Sequence, residues 1–295
     1  MANPYICREG GATVTVFVPY DCGNNCPFCI NKQEYADTSG FSAEAICESI
    51  AALHAITPAC DFVFTGGEPL ADLDTLQLML DRIPEGHRVF INTTLPVMPN
   101  VSEDELVRFL NANKQKLTCV NVSRHLYHFV VESSDSLLAR LEVPVRINCV
   151  LFGRYTVEML RAFVDRFQSI GLPIQFRSDY TKTTPENLYD EDGDQVFQAL
   201  CAMLPCTGAS GCRIRCNYDF GSGISYHKTL PYSTVQVERN GEVYDMLYDV
   251  IVKQTGEIHS DWTGVKMDMD RYRRVLFEPY DLHPFTPGNA NGGVA

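Results

Sequence analysis

Cys22, Cys26 and Cys29 stand three and two residues apart in the loop Cys22-Gly23-Asn24-Asn25-Cys26-Pro27-Phe28-Cys29. Three thiolates at this spacing can reach one small inorganic centre. Zinc sites and four-cysteine clusters take a fourth ligand. After Cys29 the next cysteine is Cys47, inside a helical pattern. A histidine or carboxylate could complete a zinc site, whereas a 4Fe-4S cubane with one iron left open needs no further protein ligand. An open metal position can bind a substrate or cosubstrate directly.

A second stretch bears on which cosubstrate. After the apolar run Asp61-Phe62-Val63-Phe64 the chain reads Thr65-Gly66-Gly67-Glu68-Pro69, a strand ending in a double glycine where backbone can approach a ligand closely. The CxxxCxxC loop with Phe28 before its last cysteine, followed by this TGGEP turn, resembles the radical S-adenosylmethionine (SAM) superfamily. In style it is nearest to the molybdenum-cofactor-synthase-like and peptide-modifying members.

The resemblance implies a partial (β/α)6 TIM-type barrel, with Cys22, Cys26 and Cys29 as ligands of a 4Fe-4S cluster and SAM chelating the open iron. Gly66, Gly67 and Glu68 would hold the methionine amino group, and Phe28 would lie near the adenine. Further SAM contacts fall at strand ends, on Ser123, Arg124, Asn148 and Arg177. The implied chemistry is one-electron cleavage of SAM to methionine and a 5'-deoxyadenosyl radical, which takes a hydrogen atom from a peptide or small-metabolite substrate. A one-electron donor such as flavodoxin or ferredoxin would feed the cluster.

The elements that must position these residues alternate. Ala12 to Tyr20 is β-branched and aromatic, a strand that delivers the cysteine loop at its C-terminal end. Strands are expected again over Asp61–Thr65, Arg88–Asn92, Leu117–Ser123, Val143–Phe152 and Pro173–Arg177. Helices are expected between them, with Ser42 as an N-cap and Ser102-Glu103-Asp104-Glu105 as a capping box. Strand-helix alternation argues an α/β fold with a parallel sheet. Arg146 and Asn148 share one strand face, as do Gln175, Arg177 and Asp179, and as do Asn121 and Ser123. Buried parallel strands are normally apolar on both faces, so this polarity calls for a wet or ligand-filled interior. Asp179 and Tyr180 close the sixth strand on the rim, and His125 and His128 beside Arg124 are candidate proton carriers.

Residues 1–180 thus read as the barrel and 181–295 as a C-terminal extension that supplies no further strand-helix units. Within the extension Cys201, Cys206, Cys212 and Cys216 fall in a segment 201–216 that could hold a second iron-sulfur cluster. A small antiparallel β meander is expected over about 224–263, with turns at Asn240-Gly241 and Thr255-Gly256. His259, Asp261 and Trp262 could line a cap, and 284–295 reads as a loose tail.

Composition narrows the classes. Twelve cysteines in 295 residues without a signal peptide argue for reduced thiols and a cytoplasmic, soluble protein. No apolar run approaches the length of a membrane helix. A net charge of -13 disfavours nonspecific nucleic-acid binding. Besides a radical SAM enzyme, two alternatives fit the motifs: an activase that installs a radical on a partner protein, and a noncatalytic iron-sulfur electron-transfer protein. The second would not need Gly66-Gly67-Glu68 or the polar strand faces.

Overall fold

The computed structural model describes residues 2–20, 22, 26–29, 38–57, 59–127, 132–262 and 264–287. Gly23, Asn24, Asn25, His128 and the tail 288–295 lie outside the described residues. β1 (Tyr5–Arg8) leads into β2 (Thr13–Val18). β3 (Asp61–Gly66), β4 (Arg88–Thr93), β5 (Leu117–Ser123), β6 (Val145–Leu151) and β7 (Ile174–Ser178) follow, each reached through a helix. β2 to β7 pair in chain order and in parallel.

Local chemistry starts the helices where the sequence predicts. The Ser42 hydroxyl accepts the Ala45 N–H at 3.1 Å ahead of the helix Ala43–Ile56. Ser102 and Glu105 form both halves of the capping box before Glu103–Ala112. Ile46, Ile50 and Leu53 on the first helix are wholly buried in the core shared with β2 and β3, each burial worth roughly 2 kcal/mol. On β6 the apolar Val145, Ile147, Cys149 and Leu151 are buried in that core, while Arg146, Asn148 and Val150 face a cavity.

The segment after Tyr180 departs from a self-contained meander. β8 (Gly208–Cys212), β9 (Arg215–Asp219) and β10 (Ile224–Thr229) are antiparallel neighbours, but β10 also pairs in parallel with β7. β11 (Thr234–Arg239) and β12 (Glu242–Leu247) form the hairpin expected at Asn240-Gly241, with φ of 54° and 80° at the turn. The stretch between the two expected turns splits at Tyr248 into two strands. β12 runs parallel to β1, whereas β13 (Asp249–Val252) runs parallel to β2. The cause lies in the partner. Residues 5–18 change sheet at Gly10-Gly11, both at positive φ, and the C-terminal chain changes with them, the Tyr248 carbonyl accepting the Thr13 N–H at 2.9 Å.

β14 (Ile258–His259) closes a hairpin with β13, and β15 (Leu276–Glu278) pairs with β1. β16 (His283–Phe285) pairs with β8, so the start of the expected loose tail is a strand. Two sheets result, one ordered β11-β12-β1-β15 and the other β14-β13-β2-β3-β4-β5-β6-β7-β10-β9-β8-β16. The extension therefore supplies two parallel strands, one at each side of the β2 to β7 run, without adding strand-helix units. Side-chain periodicity cannot show which strand a segment will choose as partner.

The large sheet curls into a half-barrel within a mixed α/β fold. The curl brings β9 against β13 from opposite ends of the sheet: Arg215 Nη2 lies 3.0 and 3.1 Å from the two carboxylate oxygens of Asp249. The terminal strands β14 and β16 do not pair with each other. Among the described residues no helix is long and apolar enough to cross a membrane.

Candidate functional site

The concave face of the curled sheet encloses a cavity of about 580 Å³. Cys22, Cys26, Phe28 and Cys29 line it where the chain leaves β2. None of the three cysteines is in a disulfide among the described residues. The Cys26 carbonyl accepts the Cys29 N–H at 3.1 Å, and in the tight turn so formed Phe28 sits edge-on to His125, ring centroids 4.9 Å apart, and 5.7 Å from Phe152. Among the described residues no three histidine, cysteine, aspartate or glutamate side chains are gathered tightly enough to hold a single metal ion. The thiols share a rim rather than a point. Three soft sulfur donors on one cavity wall fit the thiolate ligation of an iron-sulfur cluster.

Gly66 and Gly67 line the same cavity, and the structure shows why both must lack a side chain. A Cβ on Gly66, at φ 128°, would lie 2.0 Å from the Val18 carbonyl oxygen, and one on Gly67 would lie 1.4 Å from that of Tyr20. The Gly67 N–H donates to Val18 at 2.9 Å and the Glu68 N–H to Tyr20 at 3.1 Å. The double glycine thus extends the ladder between β3 and β2 and fixes the segment that leads to Cys22. The close approach is first of all to the chain's own backbone.

Glu68 is 1% exposed, and its side chain does not line the cavity. Its carboxylate accepts from the Thr93 hydroxyl at 2.6 Å, the Thr94 hydroxyl at 3.0 Å, and the N–H groups of Leu70 and Thr94 at 3.2 and 3.1 Å. Burial pushes this carboxyl's pKa up, and the four donors oppose the shift. Glu68 thereby ties the turn after β3 to the end of β4.

Of the remaining expected contacts, Ser123, His125, Asn148, Arg177 and Tyr180 meet on this cavity. Arg124 does not line it. Its guanidinium is fully buried, donates to the Thr94 carbonyl at 2.5 Å and to Ser123 and Ser133, and pairs with Glu132 at 3.4 Å. Asp179 also lies off the cavity, capping the turn Tyr180–Lys182 by accepting from the Thr181 N–H and hydroxyl at 3.1 and 2.6 Å. Each instead buttresses a neighbour that reaches the cavity. Burial lowers the His125 pKa to about 4, leaving the ring neutral at pH 7. Burial raises that of Tyr180. Asn148 is 8% exposed and its side-chain oxygen has no hydrogen-bond partner among the described residues.

Trp262 lines the cavity as well. The cavity is also lined by residues of the expected polar strand faces, Asn121 and Arg146, and by Asn92, His227, Arg215 and Asp249, which the sequence did not single out. Asn92, Asn121 and Arg146 form one layer across β4, β5 and β6: Arg146 donates to the Asn121 side-chain oxygen at 2.8 and 3.1 Å, and Asn121 donates to Asn92 at 2.8 Å. His227 on β10 lies 3.2 Å from Gln175, and Arg215 pairs with Asp249. A partial signal existed for His227, since Ser225 and His227 alternate with Ile224 and Tyr226 as on β6, although Lys228 breaks the pattern. Asp249 enters only through the unforeseen pairing of β13 with β2, and Arg215 through that of β10 with β7, which carries β9.

The late cysteines do not converge. Cys201 is exposed and Cys206 half-buried, whereas Cys212 and Cys216 are wholly buried. In the hairpin of β8 and β9, Cys212 opposes Arg215 and Gly211 opposes Cys216, so the two thiols point to opposite faces. Burial pushes the Cys216 thiol up to about 12. Spacing suggested a second cluster, and strand alternation separates its would-be ligands.

Residues 9–122, which hold the cysteine loop and the double glycine, match the family of 4Fe-4S single cluster domains. No curated protein matches the chain. Two solved structures are similar over part of their length. One is native anSMEcpe with bound AdoMet and Cp18Cys peptide, 17% identical with a TM-score of 0.42, the match covering 64% of this chain and 56% of that one. The other is SuiB of Streptococcus suis, 15% identical with a TM-score of 0.43, covering 56% of this chain and 39% of that one. The chain thus spans about half or less of the proteins it matches.

Proposed function

We propose that the chain is a radical SAM enzyme with a partial (β/α)6 barrel and one 4Fe-4S cluster, on Cys22, Cys26 and Cys29. The observation that carries this reading is the meeting of three cysteine thiols and the Gly66-Gly67 turn on one cavity with polar walls. A cluster bound there would supply the electron that splits SAM and so opens hydrogen-atom abstraction from a substrate carbon.

The chain's own residues bind and orient. Gly66 and Gly67 present backbone to the methionine amino group, with Glu68 holding their turn in place from behind. Phe28 offers a ring face for the adenine, braced by His125 and Phe152. Ser123 and Asn148 offer hydroxyl and amide groups to the rest of the cofactor, the unpartnered Asn148 oxygen being ready to accept a hydrogen bond. Arg124 and Asp179 act as positioning residues behind Ser123 and Tyr180. Tyr180 and the neutral His125 are the titratable groups on the substrate side. The substrate is a small metabolite or a peptide segment that enters the cavity, and a flavodoxin- or ferredoxin-type donor supplies electrons.

Incubation of the anaerobically purified chain with SAM and a strong reductant should release 5'-deoxyadenosine. Serine in place of Cys22, Cys26 or Cys29 should abolish that release. An intact cluster with no deoxyadenosine would instead favour an electron-transfer protein.

A further inference from the structure

The cavity carries more positive charge than the chain neutralises. Its lining includes the guanidinium groups of Arg146, Arg177 and Arg215 and the carboxylates of Asp61 and Asp249. Asp61 is taken by Arg8 at 3.0 Å and Arg88 at 2.7 Å, and Asp249 by Arg215 at 3.0 Å. Arg146 has the neutral amide oxygen of Asn121 for a partner. Arg177 makes no ion pair among the described residues. Arg146 and Arg177 thus have no ion-pair partner of their own among the described residues, and the carboxylate whose field reaches Arg177 is Asp249, already bridged to Arg215, in a protein whose net charge is -13.

Enclosing an unpaired guanidinium is costly, and the cost rises when others stand beside it. The neighbours register this field. Burial together with Arg215 and Arg146 pulls the Arg177 pKa down to about 10, and burial with the three arginines holds His227 down to about 3. A fixed positive field in a cavity is relieved by a bound anion, and the planar guanidinium fork suits carboxylate and phosphate oxygens in particular.

We propose that the wall formed by β6, β7 and β10 is an anion subsite, in which Arg177, with Arg146 beside it, receives a carboxylate or phosphate group of the substrate. That the ligand is a substrate rests on the radical SAM reading. Arg177 lies on the fifth strand along from β2, but the curl that joins Arg215 to Asp249 puts both walls on one cavity, so competition with SAM, not distance along the sheet, separates a substrate anion from the cofactor's own carboxylate. The methionine end of SAM is assigned to Gly66-Gly67 at the β2–β3 side. Arg177, which the sequence groups with cofactor contacts, passes to the substrate.

The test is the thermal midpoint of the anaerobically purified full chain, titrated with inorganic phosphate or with acetate against sodium chloride of equal ionic strength. Binding to the folded state alone raises the midpoint in a saturable way. The wild type should respond to at least one of the two anions beyond chloride, and the one that acts identifies the group. Arg177→Gln should require about tenfold more anion for the same shift, while Arg177→Lys should retain part of the response and Arg82→Gln, on the exposed surface, all of it. No response beyond chloride in the wild type, or an undiminished one in Arg177→Gln, overturns the proposal. If Arg177→Gln does not fold, the wild-type comparison with chloride and the Arg146→Gln variant decide. Wild type saturated with SAM should keep its response, and loss on saturation would assign the site to the cofactor's carboxylate. Failure of the radical SAM reading would show separately, as absence of SAM binding by the wild type.

Discussion

Two groups of cysteines in this chain look alike in sequence and differ in what surrounds them. Cys22, Cys26 and Cys29 leave β2 in a turn, outside any regular element, and all three reach one cavity. Cys212 and Cys216 sit in a hairpin whose alternation turns them to opposite faces, and Cys201 and Cys206 flank the end of the helix Gln195–Cys201. Close spacing gathers thiols where backbone is free to turn. Across a hairpin the same spacing can separate them.

Serine at Cys22, Cys26 or Cys29 is the strongest way to probe this contrast. Each change should reduce bound iron from about four per chain towards none, as read by iron and sulfide assay. Gly67→Ala should be next in effect, because its Cβ would press to 1.4 Å from the Tyr20 carbonyl oxygen. We expect a loss of about 3 kcal/mol or more in urea denaturation, together with poorer cluster loading, since the displaced segment leads to Cys22.

The cavity wall behind the rim adds a pH dependence. His227 is neutral in the fold, with its pKa down at about 3, and protonates near 6.5 when unfolded. The unfolded state therefore binds the extra proton, and stability should fall as pH drops from 6.5 towards 3 and stay level with respect to this group above 6.5. His227→Gln should flatten that part of a stability profile. Cys216→Ser replaces a wholly buried thiol by a hydroxyl and should cost about 1 to 2 kcal/mol, with no change in iron content. Cys201→Ser, at the exposed position, should change stability by less than about 0.5 kcal/mol and leave iron unchanged. Loss of iron in either late variant would break the contrast.

The part of the fold that sequence reveals is the part made by local chemistry. The Ser42 cap, the Ser102 and Glu105 box, and the alternation on β6 and β7 each depend on neighbours a few residues away. The polar faces carrying Asn121, Ser123, Arg146, Asn148, Gln175 and Arg177 were legible for the same reason. The split at Tyr248 was not, because it answers to Gly10-Gly11 at the other end of the chain. Asp249 was hidden with it, and Arg215 by the equally distant pairing of β10 with β7. Glu68, Arg124 and Asp179 show a further limit: motif and strand position bring a charged group near a site, but not which way its side chain points. All three turned towards backbone donors or acceptors that needed a partner.

The central claim is that one cluster, on Cys22, Cys26 and Cys29 and no others, underlies the chemistry. Iron and sulfide counts on the anaerobically purified wild type and its Cys26→Ser variant test it most directly. About four irons per chain in the wild type, absent from the variant, is the predicted result. A wild-type count near eight, or about four irons retained in Cys26→Ser, would contradict it.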